Sequence, residues 1–374
     1  MPIQPFKLER YFAKYEFNAP YLLCCSDCEA LTAGDLLRME KDAELDFKDL
    51  WLGYTESQGH PELREEIAKL YRGITADQVL VHTGAEEAIH NAMHVLLTPG
   101  DHVVVQYPCY QSLAEVALSI GCEVSFWKME NSPEWSLDAD LLEKHVTNKT
   151  KLIIINSPHN PTGYQMPMEQ FQYVRNLAHA RGITLFSDEV YRLLELDVKD
   201  RLPSLCEIDE NGLALGVMSK SFGLAGLRIG WVVTRNRDLY DKLAFYKDYT
   251  TICNSAPSEY LSTIALKHKE GILARNMRII VDNLERLNEF FRKYPSLFSW
   301  KAPKAGPIAF PELKTGNVTD FCHDLVTKAG VLLLPGTLYD PSYNHFRIGY
   351  GRANLYDVLL KLEEYLKSAG IRSE

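Results

Sequence analysis

Lys151-Leu-Ile-Ile-Ile-Asn156 runs into Ser157-Pro-His-Asn-Pro-Thr-Gly163, and after the segment Met168 to Arg181 comes Thr184-Leu-Phe-Ser-Asp188. Four successive apolar side chains without polar alternation predict a strand buried on both faces. Two prolines and a glycine fix the loop that stops it. The next strand waits until a helix of more than ten residues has passed, which is the connection that parallel neighbours require.

The same alternation extends in both directions. Upstream, Val79 to His82, His102 to Tyr107 and Val124 to Met129 read as strands. They are separated by the helical patterns Glu86 to Leu97 and Gln111 to Ile120, with a further helix at Glu62 to Tyr71. Downstream, Leu213 to Met218 and Arg228 to Thr234 complete the set. The prediction is an α/β protein with a large, doubly wound, mostly parallel seven-stranded sheet domain over residues 48–265. The rest reads as a smaller α+β domain built from both chain ends, 1–47 and 266–374. In it we expect one long helix from Pro257 to Lys293 interrupted at Gly271, a helix at Val318 to Ala329, strands at Val331 to Leu334 and Phe346 to Gly349, and a last helix from Ala353 to Ser368.

Composition agrees with a globular chain. The 374 residues suggest about two domains at roughly 100–200 residues each; 46% are hydrophobic and 24% charged, so neither disorder nor coiled coil describes the whole. A formal net charge of −10 argues against a nucleic-acid partner. The longest apolar runs fall far short of the roughly 18 residues of a membrane span. The opening Met1-Pro-Ile-Gln-Pro-Phe-Lys-Leu-Glu-Arg10 carries charges early and no apolar run, so the expected compartment is the cytoplasm. Cys25-Ser-Asp-Cys28 is formally a C-x-x-C pair, but no partner pair follows at a zinc spacing; ordinary reduced thiols and no metal are expected.

In open α/β sheets ligands bind beyond the carboxyl ends of the strands. Those ends carry Asn160, Asp188 with Tyr191, and Ser219-Lys220, while Thr83-Gly84-Ala85-Glu86 opens a helix after the first strand. Each has a plain reading: a turn asparagine, a helix cap, a lysine reaching solvent, a strand-to-helix turn. Each also has a chemical one. A lysine at an inner strand end suits a desolvated, nucleophilic amine, and a helix start offers N–H groups to a phosphate.

Together, Asn156-Ser-Pro-His-Asn-Pro-Thr-Gly163, Ser187-Asp-Glu-Val-Tyr191 and Ser219-Lys-Ser-Phe-Gly-Leu-Ala-Gly-Leu-Arg-Ile-Gly230 resemble the class I/II aminotransferases among the fold-type I pyridoxal 5′-phosphate (PLP) enzymes. Tyr54-Thr-Glu-Ser-Gln-Gly59 and Phe346-Arg-Ile-Gly349 add to the resemblance, and all five stretches occur in the family's order. The resemblance implies the aspartate aminotransferase-like PLP-dependent transferase fold. It implies that Lys220 binds PLP as a Schiff base and then serves as general base, with Asp188 on the pyridine nitrogen. Asn160 and Tyr191 would face the phenolic oxygen and Tyr110 the ring. Gly84, Ala85, Glu86, Ser219 and Arg228 would hold the phosphate, Arg347 the substrate carboxylate, and Asn160 would also contact the substrate. Tyr54 would reach the phosphate of a neighbouring subunit, which implies a homodimer with shared active sites.

Two departures stand out. Val217 occupies a position where many relatives have serine. Leu22-Leu-Cys-Cys-Ser-Asp-Cys-Glu-Ala-Leu31 lacks the glycines that border the substrate in many relatives. Glu86, whose carboxylate would repel phosphate, is expected to serve through its backbone with its side chain turned away. Arg352 is expected to begin the last helix or meet an acidic surface partner rather than bind a second carboxylate. The leading function is an aminotransferase acting on an amino acid and a 2-oxo acid. The alternatives are a lyase or cyclising synthase of the capreomycidine synthase or C–S lyase kind, and a non-catalytic PLP-binding regulator.

Overall fold

The computed structural model describes residues 2–131 and 134–374. Its centre is a sheet of eight strands: β1 (Val79–His82), β2 (His102–Tyr107), β3 (Glu123–Asn131), β4 (Trp135–Leu137), β5 (Thr150–Asn156), β6 (Thr184–Asp188), β7 (Leu213–Val217) and β8 (Gly230–Val233). They lie in the order β1-β8-β7-β6-β5-β2-β3-β4. The run from β7 to β3 is parallel throughout. β8 is antiparallel to both neighbours. Seven strands were expected; the eighth is β4, a three-residue edge strand that turns back on β3 in antiparallel register. It is too short for periodicity to reveal.

The unbroken apolar runs are explained by burial on two sides. Leu152 and Ile154 belong to one hydrophobic cluster, Ile153 and Ile155 to the other, as the two-residue period of a strand requires. The helices α2 (Gly84–Leu96) and α3 (Ser112–Ile120) cover the first face. The second is covered by α4 (Met168–Arg181) and α5 (Ala256–Lys267).

Two expectations about the later chain need correction. Pro257 to Lys293 is not one helix with a break at Gly271. α5 ends at Lys267, and α6 (Lys269–Arg292) begins beyond His268, whose ψ of 22° leaves the helical range. Gly271 lies inside α6: glycine lowers helix propensity by about 1 kcal/mol but deletes no hydrogen bond. Val331 to Leu334 is not one strand either. Val331–Leu332 pairs in parallel with Tyr21–Leu22, whereas Leu334–Pro335 pairs antiparallel with Phe346–Arg347. The last helix starts at Leu355, two residues later than expected. Before the sheet, α1 (Lys7–Tyr15) places Leu8 in a third cluster with Cys24, Leu332 and Leu334. Among the described residues no helix is long and apolar enough to cross a membrane.

Candidate active site

The carboxyl ends of β5, β6 and β7 and the start of α2 open on one cavity of about 510 Å³. Residues from distant parts of the chain close it: α1 through Phe12, the segment Cys25–Asp27, and Arg347.

Asn156 and Asp188 are register partners on β5 and β6. Asn156 donates Nδ2 to the Asp188 carbonyl at 3.0 Å and accepts the Asn160 N–H at 2.7 Å. The loop after β5 is thereby folded back, and Asn160 faces the cavity. Asp188 is buried, with Oδ1 accepting the Val190 N–H at 3.2 Å. Burial raises its pKa to about 7 despite the opposing charge of Lys220. Such a carboxyl gains from a cationic partner. Tyr191 is also buried; its hydroxyl stands beside Ser26 without a well-formed hydrogen bond.

Lys220 follows β7 and donates Nζ to Ser26 Oγ at 2.9 Å. Desolvation lowers its pKa, favouring the neutral, nucleophilic amine. Ser219 lines the same wall.

At the start of α2, Gly84 has φ +82°, and a Cβ there would lie 2.6 Å from Arg228 Nη2. The glycine therefore lets the guanidinium lie against the helix start, where the first N–H groups have no carbonyl within the helix to meet. Ala85 and Glu86 line the cavity. The Glu86 carboxylate accepts from Ser112 Oγ at 3.1 Å, with Tyr110 beside it, and burial raises its pKa. Tyr110 packs its ring 5.1 Å from that of Phe6.

Arg347 is buried. It donates Nε and Nη2 to the Cys24 carbonyl at 3.1 and 2.9 Å, and Nη1 to Tyr339 Oη at 3.1 Å and Asn160 Oδ1 at 3.3 Å. Arg352 also lines the cavity, but it pairs with Asp27 at 3.1 Å, an acidic partner at the site itself.

Ten of the residues singled out in the sequence thus meet at one cavity: Ala85, Glu86, Tyr110, Asn160, Asp188, Tyr191, Ser219, Lys220, Arg228 and Arg347. Gly84 stands behind Ala85. Tyr54 is elsewhere: it is 82% exposed, beside the equally open Trp51 and Leu52. Sequence reasoning missed Ser26, Asp27 and Tyr339. The first two lie in the glycine-free stretch that stood out; Tyr339 carries no motif.

The donor set fits PLP. A guanidinium and helix-start N–H groups suit the phosphate. The buried Tyr191 hydroxyl suits a ring oxygen, the proton-avid Asp188 a pyridine nitrogen, and the desolvated Lys220 amine an aldehyde.

Comparison with known proteins agrees. The family model for aminotransferase class I and II matches residues 23–361. Capreomycidine synthase of Streptomyces vinaceus is 29% identical over 357 residues, 93% of this chain and 88% of that protein. A PLP-dependent aminotransferase from Streptococcus suis has the same fold with a TM-score of 0.92 at 31% identity, over 98% of this chain and 99% of that one. The PLP-dependent cyclase OrfR follows with a TM-score of 0.90 at 26% identity, over 99% and 98%. The chain therefore belongs to the aminotransferase class I and II family, and its cofactor is PLP.

Proposed function

We propose that this protein is an aminotransferase that moves the amino group of an amino acid to a 2-oxo acid. The observation that carries this reading is the meeting of Lys220, Asp188 and Arg347 in one cavity: an amine, a proton-avid carboxylate and a guanidinium. PLP supplies an aldehyde that condenses with amines and a ring that accepts the electron pair of a bond broken at the substrate Cα. Asp188 keeps a proton on the pyridine nitrogen. Arg228 and the first turn of α2 would hold the phosphate, with Ser219 at their side. Asn160 and Tyr191 would donate toward the phenolic oxygen, and Tyr110 would stand against the ring. Arg347 binds the α-carboxylate. Lys220 Nζ, whose pKa is lowered by desolvation, would remove the Cα proton.

A second reading, a lyase or cyclising synthase, has its own support. The likeness to capreomycidine synthase and to OrfR spans nearly the whole chain. The wall facing Lys220 is built of Ser26 and the Asp27–Arg352 pair.

A panel of amino acids added singly to the PLP-loaded enzyme separates the readings. An aminotransferase converts to the pyridoxamine form, read by absorbance, and needs an acceptor to turn over again. A lyase releases ammonia and a 2-oxo acid with no acceptor. Silence toward every amine would leave the regulator.

A homodimer belongs to the same proposal. Trp51, Leu52 and Tyr54 are exposed, as are Phe245, Tyr249 and Ile252. The two segments are tied together, Thr55 Oγ1 to the Asn254 carbonyl and Lys247 Nζ to the Ser57 carbonyl, so they form one apolar surface that suits a second copy. Sedimentation gives the mass. Mixing inactive Lys220→Ala and Tyr54→Ala chains should restore part of the activity if Tyr54 serves the neighbour's site. The division into 48–265 and the two chain ends is proposed on the ground that the eight-stranded sheet lies wholly between residues 79 and 233.

A further inference from the structure

A second cavity lies behind the turn that follows β6. It shares no wall residue with the first. Ser187 and Glu189 face it, whereas Asp188 faces the active site, as alternation along an extended chain requires. It offers about 10 Å³ to the centre of a water-sized sphere, at the threshold of roughly 10–15 Å³ for one water molecule.

Three of its wall residues carry a buried polar atom without a hydrogen bond: Gln165 Oε1, Glu189 Oε2 and Arg192 Nε. The other ends of these side chains are committed, which fixes what remains. Gln165 donates Nε2 to the Asp200 carbonyl at 3.1 Å, leaving its oxygen. Glu189 Oε1 accepts the Leu205 N–H at 2.8 Å, leaving Oε2, with the Ser187 and Ser204 hydroxyls beside the carboxylate. Arg192 donates Nη1 to the Leu70 carbonyl and Nη2 to Glu207, leaving Nε–H. The three unpartnered atoms are thus two acceptors and one donor, with the Ser187 hydroxyl and the Glu195 carboxylate also on the wall. A cation would face the Nε–H, and an anion would face two oxygens. A ligand with two donors and one acceptor satisfies all three, and water is the molecule of that size.

We propose that this cavity holds one resident water bridging Gln165, Glu189 and Arg192, and that Glu189 thereby acts as a positioning residue for the active-site turn. Glu189 and Arg192 bracket Val190 and Tyr191. The Arg192 N–H donates to the Glu189 carbonyl at 2.8 Å, and Ser221 Oγ meets the Val190 and Arg192 carbonyls at 3.2 and 2.7 Å. Ser221 follows Lys220, so the hydrated pair underlies the one turn that carries Asp188 and Tyr191 and touches the lysine segment. The inference does not depend on which reaction the enzyme performs.

A crystal structure of the PLP-bound full chain, at a resolution that shows ordered water, tests the site. One density peak within hydrogen-bonding distance of the three atoms is expected; a void, or direct pairing among them, overturns it. The positioning claim is read from bound PLP. Gln165→Leu removes one acceptor, together with the bond to the Asp200 carbonyl, and should eject the water, change the circular dichroism of the bound cofactor and weaken PLP binding about tenfold. Glu189→Gln keeps a polar atom for the water and should retain the peak and a near-native dichroic signal. If Gln165→Leu folds and binds PLP with unaltered dichroism and affinity, the water does not position the turn.

Discussion

Lys220 Nζ lies 2.9 Å from Ser26 Oγ, a partner 194 positions away in the chain. The amine at the heart of the sheet is oriented by the N-terminal segment. A serine there gives the lysine an acceptor at the cavity wall, where the amine is partly desolvated.

Ser26→Ala should therefore slow the proton-transfer step without abolishing it. A net hydrogen bond is worth about 0.5–1.5 kcal/mol, so single-turnover rates should fall roughly 2- to 10-fold, with amino-acid affinity nearly unchanged. An unaltered rate would remove Ser26 from the mechanism.

Lys220→Ala should abolish the covalent link. Borohydride treatment of the PLP-loaded wild type should fix the cofactor to the peptide containing residue 220, identified by mass. A reducible yellow adduct persisting in the variant would show the assignment to be wrong.

Asp188 predicts a pH dependence in the cofactor-free protein. Its pKa is raised by burial to about 7 from an ordinary 3.8. The folded state then binds more protons than the unfolded one between these values. The stability contributed is complete below about pH 4 and is lost as pH rises through 7. Asp188→Asn lacks this loss, so its melting temperature relative to wild type should rise from pH 5 to pH 8; a flat difference refutes the account. In the PLP-bound enzyme Asp188→Ala should keep the fold and lose at least about 10²-fold in rate, the scale of losing a key electrostatic partner.

Glu87 should support the phosphate site from one layer behind. It accepts the Thr83 N–H at 2.6 Å and the hydroxyls of Thr250 and Thr251 at 2.5 and 2.7 Å, locking the turn before α2 to a distant loop. Glu87→Ala should weaken PLP binding by roughly 10-fold, since a hydrogen bond to a charged group contributes about 1.5–3 kcal/mol. Fluorescence titration with PLP measures it, and equal affinity would exclude the role.

Much of the central sheet was legible because burial on both faces leaves a strong mark: Leu152 to Ile155 has no polar residue to confuse it. The ends of those strands were legible for the opposite reason, since Asp188 and Lys220 are charges in places where charge is costly. What escaped has weak local marks. β4 is three residues long. The split at Leu333 depends on which partner strand each half meets, which no local pattern encodes. Gly271 was overweighted because propensity is a small term beside the packing of α6. Tyr339 reaches Asn160 Oδ1 at 3.2 Å only through tertiary folding.

The split of Val331–Pro335 between two pairings makes it a hinge pin with two leaves. One leaf is the N-terminal segment: the Leu23 N–H meets the Leu332 carbonyl at 2.9 Å. The other is the strand carrying Arg347, and the leaves are latched to each other, the Gly349 N–H to the Leu23 carbonyl at 2.8 Å and Arg347 to the Cys24 carbonyl. The segment carrying Ser26 and the strand carrying Arg347 are therefore one hydrogen-bonded unit. Any change that shifts one of these pairings therefore reaches both Ser26, the acceptor of Lys220, and Arg347.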